Sequence, residues 1–450
     1  MSSTEPAGRV IVLDVVGLGP DHVDEERTPT LHGLLEDVTA LRPPFPALTI
    51  PVQTTLGSGR PPRVHGDVSS GEYDRERDEA EFWERDREDR TRLWETASEE
   101  AGLTTGVLFF QRLIGTTADV AVTPSPIEDE DNNLIEMNCF TNPDGFYDEL
   151  QAEYGHFPLH NYWGPGAGEE SSQWILDAAR EAIERYDPDL LWVYVPHLDY
   201  VGQREGPGTE AIESELEVVD DVLGDFLDFL EDTDRWEETV CNVVSEYGFH
   251  AVSRPVFPNR AFHEAGLLET DTDGDVDLSA SDAFAMVDHQ VAHVYAGDLE
   301  ATREALEGLE GIDAVLDEEG KAEYGVDHPN AGDLVVVAES DAWFQYYWWT
   351  DRADAPPYAT EMDIHAKPGF DPCELFFGEE GLASLDPTNV SGSHGRVDES
   401  AYGCYGIGGP AAPDIDLEDP VDATAVAPTI ADVLEVSGDL EMTFDGSSLV

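Results

Sequence analysis

Thr49 stands between two prolines in Phe45-Pro46-Ala47-Leu48-Thr49-Ile50-Pro51, and the chain then runs into Gly57-Ser58-Gly59. A threonine in such a setting is commonly a turn residue or a helix cap. Its hydroxyl becomes a nucleophile only if something stabilises the alkoxide, and a divalent cation does for an alcohol what it does for water. Three acids are candidates to hold one. Asp14, Asp199 and Glu246 each fall at the end of a predicted strand. Any one of them could be a solvated loop acid, and the shared position is what separates them from the other carboxylates. Three oxygen ligands meeting in one crevice suit Mg²⁺, Mn²⁺ or Ca²⁺. His394 lies between glycines in Gly392-Ser393-His394-Gly395, where its ring is free to face a ligand. Asp363 and His365 are two apart and would share one face of a strand, as a metal pair or as an ordinary hydrogen-bonded pair. His289 and His293 read as structural. The aromatic run 343–349 reads as core rather than as a stacking platform.

Strands and helices alternate along the chain. Arg9 to Val16, Thr104 to Phe110, Asp189 to Val195 and Glu238 to Ser245 are apolar runs of the kind buried on both faces of a sheet. Helical spacing marks 91–101, 171–186, 210–230, 299–308 and 427–434, with a short helix from Thr28 through Leu35. This order predicts an α/β fold with a mostly parallel central sheet and helices on both faces. Ligands of such sheets bind at the carboxyl ends of the strands, where the three acids fall. The expected organisation is a single domain over 1–450. An irregular insertion occupies about 115–170, and a cap or accessory segment about 254–370, within it.

Composition narrows the partners. The chain has 98 acidic and 23 basic residues and a formal charge of −75. Its only lysines are Lys321 and Lys367. Acids are spread along the whole length, among aromatics and β-branched runs that a disordered acidic chain lacks. A folded, heavily carboxylated surface of the halophilic kind follows, soluble where salt screens charge within a few ångströms. Nucleic acid polymers are excluded as partners, because a phosphate backbone needs a basic footprint. Cys139, Cys241, Cys373 and Cys404 are isolated, which argues against a cysteine zinc site. The start, Met1-Ser2-Ser3-Thr4-Glu5-Pro6, has no signal-peptide pattern, and no apolar run reaches membrane-spanning length. A cytoplasmic protein without a membrane partner is expected, and nothing in the pattern sets an oligomeric state.

The motifs resemble the type I phosphodiesterase and nucleotide pyrophosphatase branch of the alkaline phosphatase superfamily. The matching pieces are Val12-Leu13-Asp14-Val15-Val16-Gly17-Leu18, the Phe45–Pro51 stretch and Gly59-Arg60-Pro61-Pro62-Arg63-Val64-His65-Gly66. Asp199 with Gln203, Ser245-Glu246-Tyr247-Gly248 and the His394 motif follow in the same order. The resemblance implies an alkaline-phosphatase-like fold with an inserted cap and a threonine nucleophile flanked by two divalent metal ions, usually zinc. By position, Asp14, Thr49, Glu246 and Tyr247 would line one metal site, and Asp199, Gln203 and His394 the other. His197, Asp363 and His365 are possible additional ligands. The chain departs from the family at Gln203, where a histidine is usual, at Glu246-Tyr247, where Asp-His is usual, and at Val52, where a phosphate-binding asparagine is common. One of three histidines remains, so Mn²⁺ or Mg²⁺ competes with Zn²⁺ for the role. The implied activity is metal-dependent hydrolysis of a small phosphorylated substrate, of the phosphodiesterase or nucleotide pyrophosphatase type. Two alternatives are a phosphoryl-transferring relative of the mutase kind and a metal-poor binding protein.

Overall fold

A computed structural model describes residues 7–82, 91–129, 134–272, 274–372, 376–379, 381–415, 417 and 420–450. Residues 1–6, on which the signal-peptide reading falls, lie outside the described residues, as does Cys373. Cys139, Cys241 and Cys404 are buried free thiols. No helix among the described residues is long and apolar enough to cross a membrane.

The first half of the chain builds the central sheet. Its strands are β1 (Arg9–Val15), β2 (Leu35–Arg42), β3 (Thr105–Leu108), β4 (Val120–Pro124), β5 (Cys139–Asn142), β6 (Leu190–Val195) and β7 (Thr239–Val244). The helices that matter here are α1 (Pro29–Leu34), α2 (Thr49–Ser58), α3 (Glu169–Tyr186), α4 (His197–Glu205) and α5 (Glu210–Glu231). The second half adds β8 (Ala283–Asp288), β9 (Val291–Ala296), β10 (Ile312–Leu316), β11 (Leu334–Ala338) and β12 (Gly369–Asp371). It then returns to the central sheet with β13 (Gly403–Gly408), β14 (Val421–Asp422) and the closing helix α6 (Val426–Val433).

The nine central strands run in the order β14-β2-β13-β7-β1-β6-β3-β4-β5. From β7 to β4 neighbours are parallel. At the flanks, β13 pairs antiparallel with β7 and β2, and β5 antiparallel with β4. β1 is central because nearly all of it is apolar: every residue of Arg9–Val15 is buried. In register, Val12 sits between Trp192 and Asn242, and Asp14 between Tyr194 and Val244. Each such buried aliphatic side chain contributes roughly 1.5–3 kcal/mol. α5 lays Ile212, Leu216, Val219, Leu223, Phe226 and Leu230 into the core at helical spacing. Its buried Asp220 accepts the N–H groups of Thr30 and Leu31, both at 2.9 Å, and so caps the first turn of α1.

Sequence reasoning placed the parallel core closely and misread what surrounds it. β2 was not foreseen, and its stretch Leu35-Glu36-Asp37-Val38-Thr39-Ala40-Leu41-Arg42 carries little strand signal of its own. Antiparallel pairing with β13 makes it a strand. Thr49 is neither a turn residue nor a helix cap but the first residue of α2, and Pro51 falls in the first turn, where its missing N–H does no harm. Asp199 lies in the first turn of α4, past the end of β6.

The segment after β7 forms a five-stranded sheet in the order β10-β11-β9-β8-β12, with its own apolar cluster. The aromatic stretch lies in buried packing: Phe344, Tyr346, Tyr347, Trp348 and Trp349 join that cluster, and Trp343 joins a neighbouring one. The turn between β8 and β9 meets the His394 loop, where Gln290 N–H donates to His394 O at 2.9 Å.

Candidate active site

The site forms where β1, β6 and β7 end, as the strand-end rule for α/β sheets anticipates. β1 delivers Asp14, fully buried. β7 delivers Glu246 and Tyr247 through a tight passage: a Cβ on Gly403 would come within 1.9 Å of Ser245 O, so only glycine lets β13 approach this loop. α4 delivers Asp199 and Gln203, which share a face one turn apart. His394 is clipped to the threonine segment, because Ala47 N–H donates to Gly395 O at 3.0 Å and His394 Nδ1 lies 2.9 Å from Ala47 O. A carbonyl only accepts, so Nδ1 carries the proton and Nε2 is the acceptor nitrogen of His394.

Two polar chains run through the site, one of them starting at Thr49. In the first, Thr49 Oγ1 lies 2.8 Å from the Tyr247 hydroxyl, whose O–H reaches Asp199 Oδ1 at 3.4 Å. Gln203 Nε2 donates to the other oxygen of Asp199 at 2.9 Å. In the second, Gln53 Nε2 bridges Glu246 Oε1 at 3.1 Å and Asp14 Oδ2 at 3.4 Å, while Gln53 Oε1 accepts the Gln111 N–H at 2.8 Å. Within these two chains, three buried oxygens have no partner among the described residues: Asp14 Oδ1, Glu246 Oε2 and Gln203 Oε1.

The electrostatics follow from burial. Burial pushes the Glu246 carboxyl well up, and the Asp14 charge adds to it. Asp14 is raised by the same burial, against hydrogen bonds with Glu246 and Gln53 that pull it back. The pair therefore holds a proton between two carboxyls at neutral pH in the absence of a cation. Asp199 is pushed up to about 7, chiefly by burial. Burial and the charges of Asp199 and Glu246 keep the Tyr247 phenol protonated.

Beside this group stands His289, which the sequence reading had left to structure. It occupies the two-residue turn of the β8–β9 hairpin with φ at 57°, a left-handed conformation uncommon outside glycine. Its Nε2 lies 3.2 Å from Asp371 Oδ2. Burial would lower its pKa, but Asp371, Asp288 and Asp199 outweigh burial and raise it to about 9. The His289 ring packs on His394 at 3.9 Å, and His394 stacks on Tyr247 at 3.7 Å with an interplanar angle of 8°. Burial, and then the positive charge of His289, keep His394 neutral.

The structure thus brings Asp14, Thr49, Asp199, Gln203, Glu246, Tyr247 and His394 together. Asp363 and His365 stand further out, on the wall of a cavity of about 1390 Å³ that Thr49, Asp199 and Gln203 also line. They do not lie on a strand, and Asp363 Oδ1 accepts the backbone N–H of His365 at 2.9 Å. His197 belongs elsewhere: its Nε2 pairs with Glu215 on α5 at 2.6 Å. His293 is structural, joining Val68 O and Gly332 N–H at 3.1 Å each. Gln53 and Asp371 were missed. Gln53 would have stood out had α2 been foreseen, since it sits one turn after Thr49. Asp371 has no local signal, because a distant strand brings it in.

Whether these residues fit a metal pair can be read from their donors. No three His, Cys, Asp or Glu side chains gather as a metal-holding group among the described residues. Both oxygens of Asp199 are engaged, by Gln203 and by Tyr247. A histidine-rich zinc pair does not fit this arrangement. One hard cation fits better, at the paired carboxylates, where Asp14 Oδ1 and Glu246 Oε2 await a partner.

A mainly parallel sheet that gathers its polar residues at the strand ends, with a second sheet inserted late in the chain, is an α/β fold of the alkaline phosphatase type. Residues 10–371 match the type I phosphodiesterase / nucleotide pyrophosphatase family, and the chain belongs to it, among the hydrolases of phosphoester bonds. Solved structures agree on the fold. Murine ectonucleotide pyrophosphatase / phosphodiesterase 5 is 16% identical with a TM-score of 0.61, over 98% of this chain and 97% of its own. An inactive variant of the same enzyme has been seen in complex with AMP. Phosphonoacetate hydrolase from Sinorhizobium meliloti, in complex with phosphonoacetate, is 16% identical with a TM-score of 0.64, over 96% of each chain. No functionally curated protein matches the chain in sequence.

Proposed function

We propose that the protein hydrolyses a small phosphoester, of the phosphodiester type, with Thr49 as the nucleophile. The observation that carries this reading is the line Thr49–Tyr247–Asp199, which starts at the first residue of α2. A helix N-terminus offers free N–H groups and a favourable dipole to an anion, so a phosphoryl group is held next to Thr49 Oγ1. As Oγ1 bonds to phosphorus, its proton passes to the Tyr247 oxygen, and the Tyr247 proton passes to Asp199. The proton then leaves with the departing alcohol. Water attacks the phosphothreonine by the reverse relay, giving the phosphate monoester and free Thr49.

A bound hard cation would be held by Asp14 and Glu246, and its chemistry there is to offset charge on the phosphoryl oxygens. Gln53 keeps the two carboxylates aligned, and positive His289, fixed by Asp371, adds a second charge of the right sign. The small phosphorylated ligands of the structural relatives, AMP and phosphonoacetate, agree with the size of substrate proposed.

Tyr247→Phe removes the relay and keeps the ring that stacks on His394. It is expected to lower kcat by roughly 10²–10⁴ with little change in KM. Wild-type kcat/KM should fall in acid, with a limb near the Asp199 value of about 7, because the relay needs an ionised Asp199. A flat profile between pH 5 and 9, with an active Tyr247→Phe, would remove the relay.

A further inference from the structure

We infer that the substrate's ester substituent is a long apolar chain, bound in the cavity above Thr49; this rests on the phosphoesterase reading of that site. The cavity, about 1390 Å³, exceeds the roughly 300–1,000 Å³ typical of small-molecule sites. Among the described residues that line it there is no lysine or arginine, while six are acids: Glu128, Glu136, Asp199, Glu361, Asp363 and Asp371. A nucleoside polyphosphate would carry several negative charges past these carboxylates without a cation to meet them. A phosphodiester carries one.

The inner wall between the acids is apolar, with Ile50, Ile114, Phe157, Tyr162, Ile364 and Phe370. The rim is apolar as well, and it is exposed. Leu134, Ile135, Phe377 and Leu382 are 53%, 64%, 69% and 61% exposed, and all four line this cavity. In a chain of charge −75, large apolar side chains left in water at one mouth mark a surface that meets an apolar ligand. The Glu361–His365 side of the wall is anchored from beneath. Buried Lys367 donates to the carbonyls of Tyr358, Glu361 and Asp363 at 2.8, 2.7 and 3.0 Å.

n-Alkyl(methyl)phosphinates from butyl to decyl test the inference. They are monoanions like a diester and have no P–O–C bond to hydrolyse. Calorimetric affinity for the full chain should rise about threefold per added methylene, the scale of apolar burial. Phe377→Asp and Leu382→Asp, at exposed rim positions, should weaken decyl binding about tenfold and leave butyl binding unchanged. Affinity independent of chain length, no binding at all, or AMP binding more tightly than the decyl compound would overturn the inference. The hydrolase reading is judged apart, with a chromogenic diester panel. Chain-dependent binding without turnover of any diester sinks that reading and leaves only the apolar-chain binding site. Turnover with flat binding does the reverse.

Discussion

Thr49→Ala should abolish phosphoester hydrolysis, by about 10⁴-fold or more, and leave the fold intact. The two halves of that expectation have separate grounds. The chemical half rests on the loss of the attacking oxygen: its neighbour Tyr247 is a phenol kept protonated by burial and by the charges around it, and cannot replace it as nucleophile. The structural half rests on the place of Thr49 in α2. It is the first helical residue, its side chain caps nothing, and it is only partly buried. Alanine keeps the helix, so a stability change within about 1 kcal/mol is expected. Tyr247 keeps its contact with Asp199, which avoids an orphaned buried hydroxyl. Thr49→Ser, which retains the oxygen, should recover much of the rate. Full activity in the alanine variant would take Thr49 out of the reaction.

The second large effect has opposite signs for function and stability. Glu246→Gln should cost at least about 100-fold in rate, since it removes one of the two carboxylates that face the phosphoryl group or its cation. In metal-free protein the same change should stabilise the fold, by on the order of 2 kcal/mol at pH 8. The folded chain resists ionising Asp14, Glu246 and Asp199, whereas the unfolded chain ionises them near pH 4. Their contribution is therefore present in full below pH 4 and is lost as pH rises through the raised folded-state values. His289 acts in the same direction, contributing below its unfolded value near 6.5 and losing its effect as pH passes about 9. Chelator-treated wild-type protein should thus lose thermal stability between pH 5 and 9, and Glu246→Gln should flatten that slope. Solvent-facing carboxylates such as Asp24, half-buried and lowered to about 2 by its hydrogen bonds to Arg27, shift the other way, but solvent screening makes their effect small. A variant less stable than wild type at pH 8 in chelator would show that Asp14 and Glu246 are not repelling each other.

Much of this site could be read from residue types and order. The parallel core is legible because β1, β6 and β7 are uninterrupted apolar runs, and Asp14 and Glu246 are identifiable because each breaks such a run at its end. Thr49 was legible from its prolines, although the same prolines hid the start of α2. What the sequence did not show depends on contacts distant along the chain. Asp371 reaches His289 from 82 residues away, and Tyr247 meets Thr49 across 198. His289 looked structural because Val291 to Tyr295 is a plain strand, and its role depends on a hairpin turn whose position no periodicity reveals. His197 shows the converse error. It follows a strand end like the other candidates, but the first turn of α4 points it at Glu215 instead. A motif position next to a strand end therefore selects candidates, and the direction of the local helix decides among them.

The central claim is that phosphorus is transferred to Thr49. Acid-quenching wild-type protein during turnover of a chromogenic phosphodiester, followed by peptide mass analysis, tests it directly. The account predicts a phosphoryl adduct on the peptide containing Thr49, enriched in Tyr247→Phe if breakdown is slowed more than formation, and absent in Thr49→Ala. Turnover with an unmodified Thr49 peptide at every quench time, and with Thr49→Ala as fast as wild type, would contradict it.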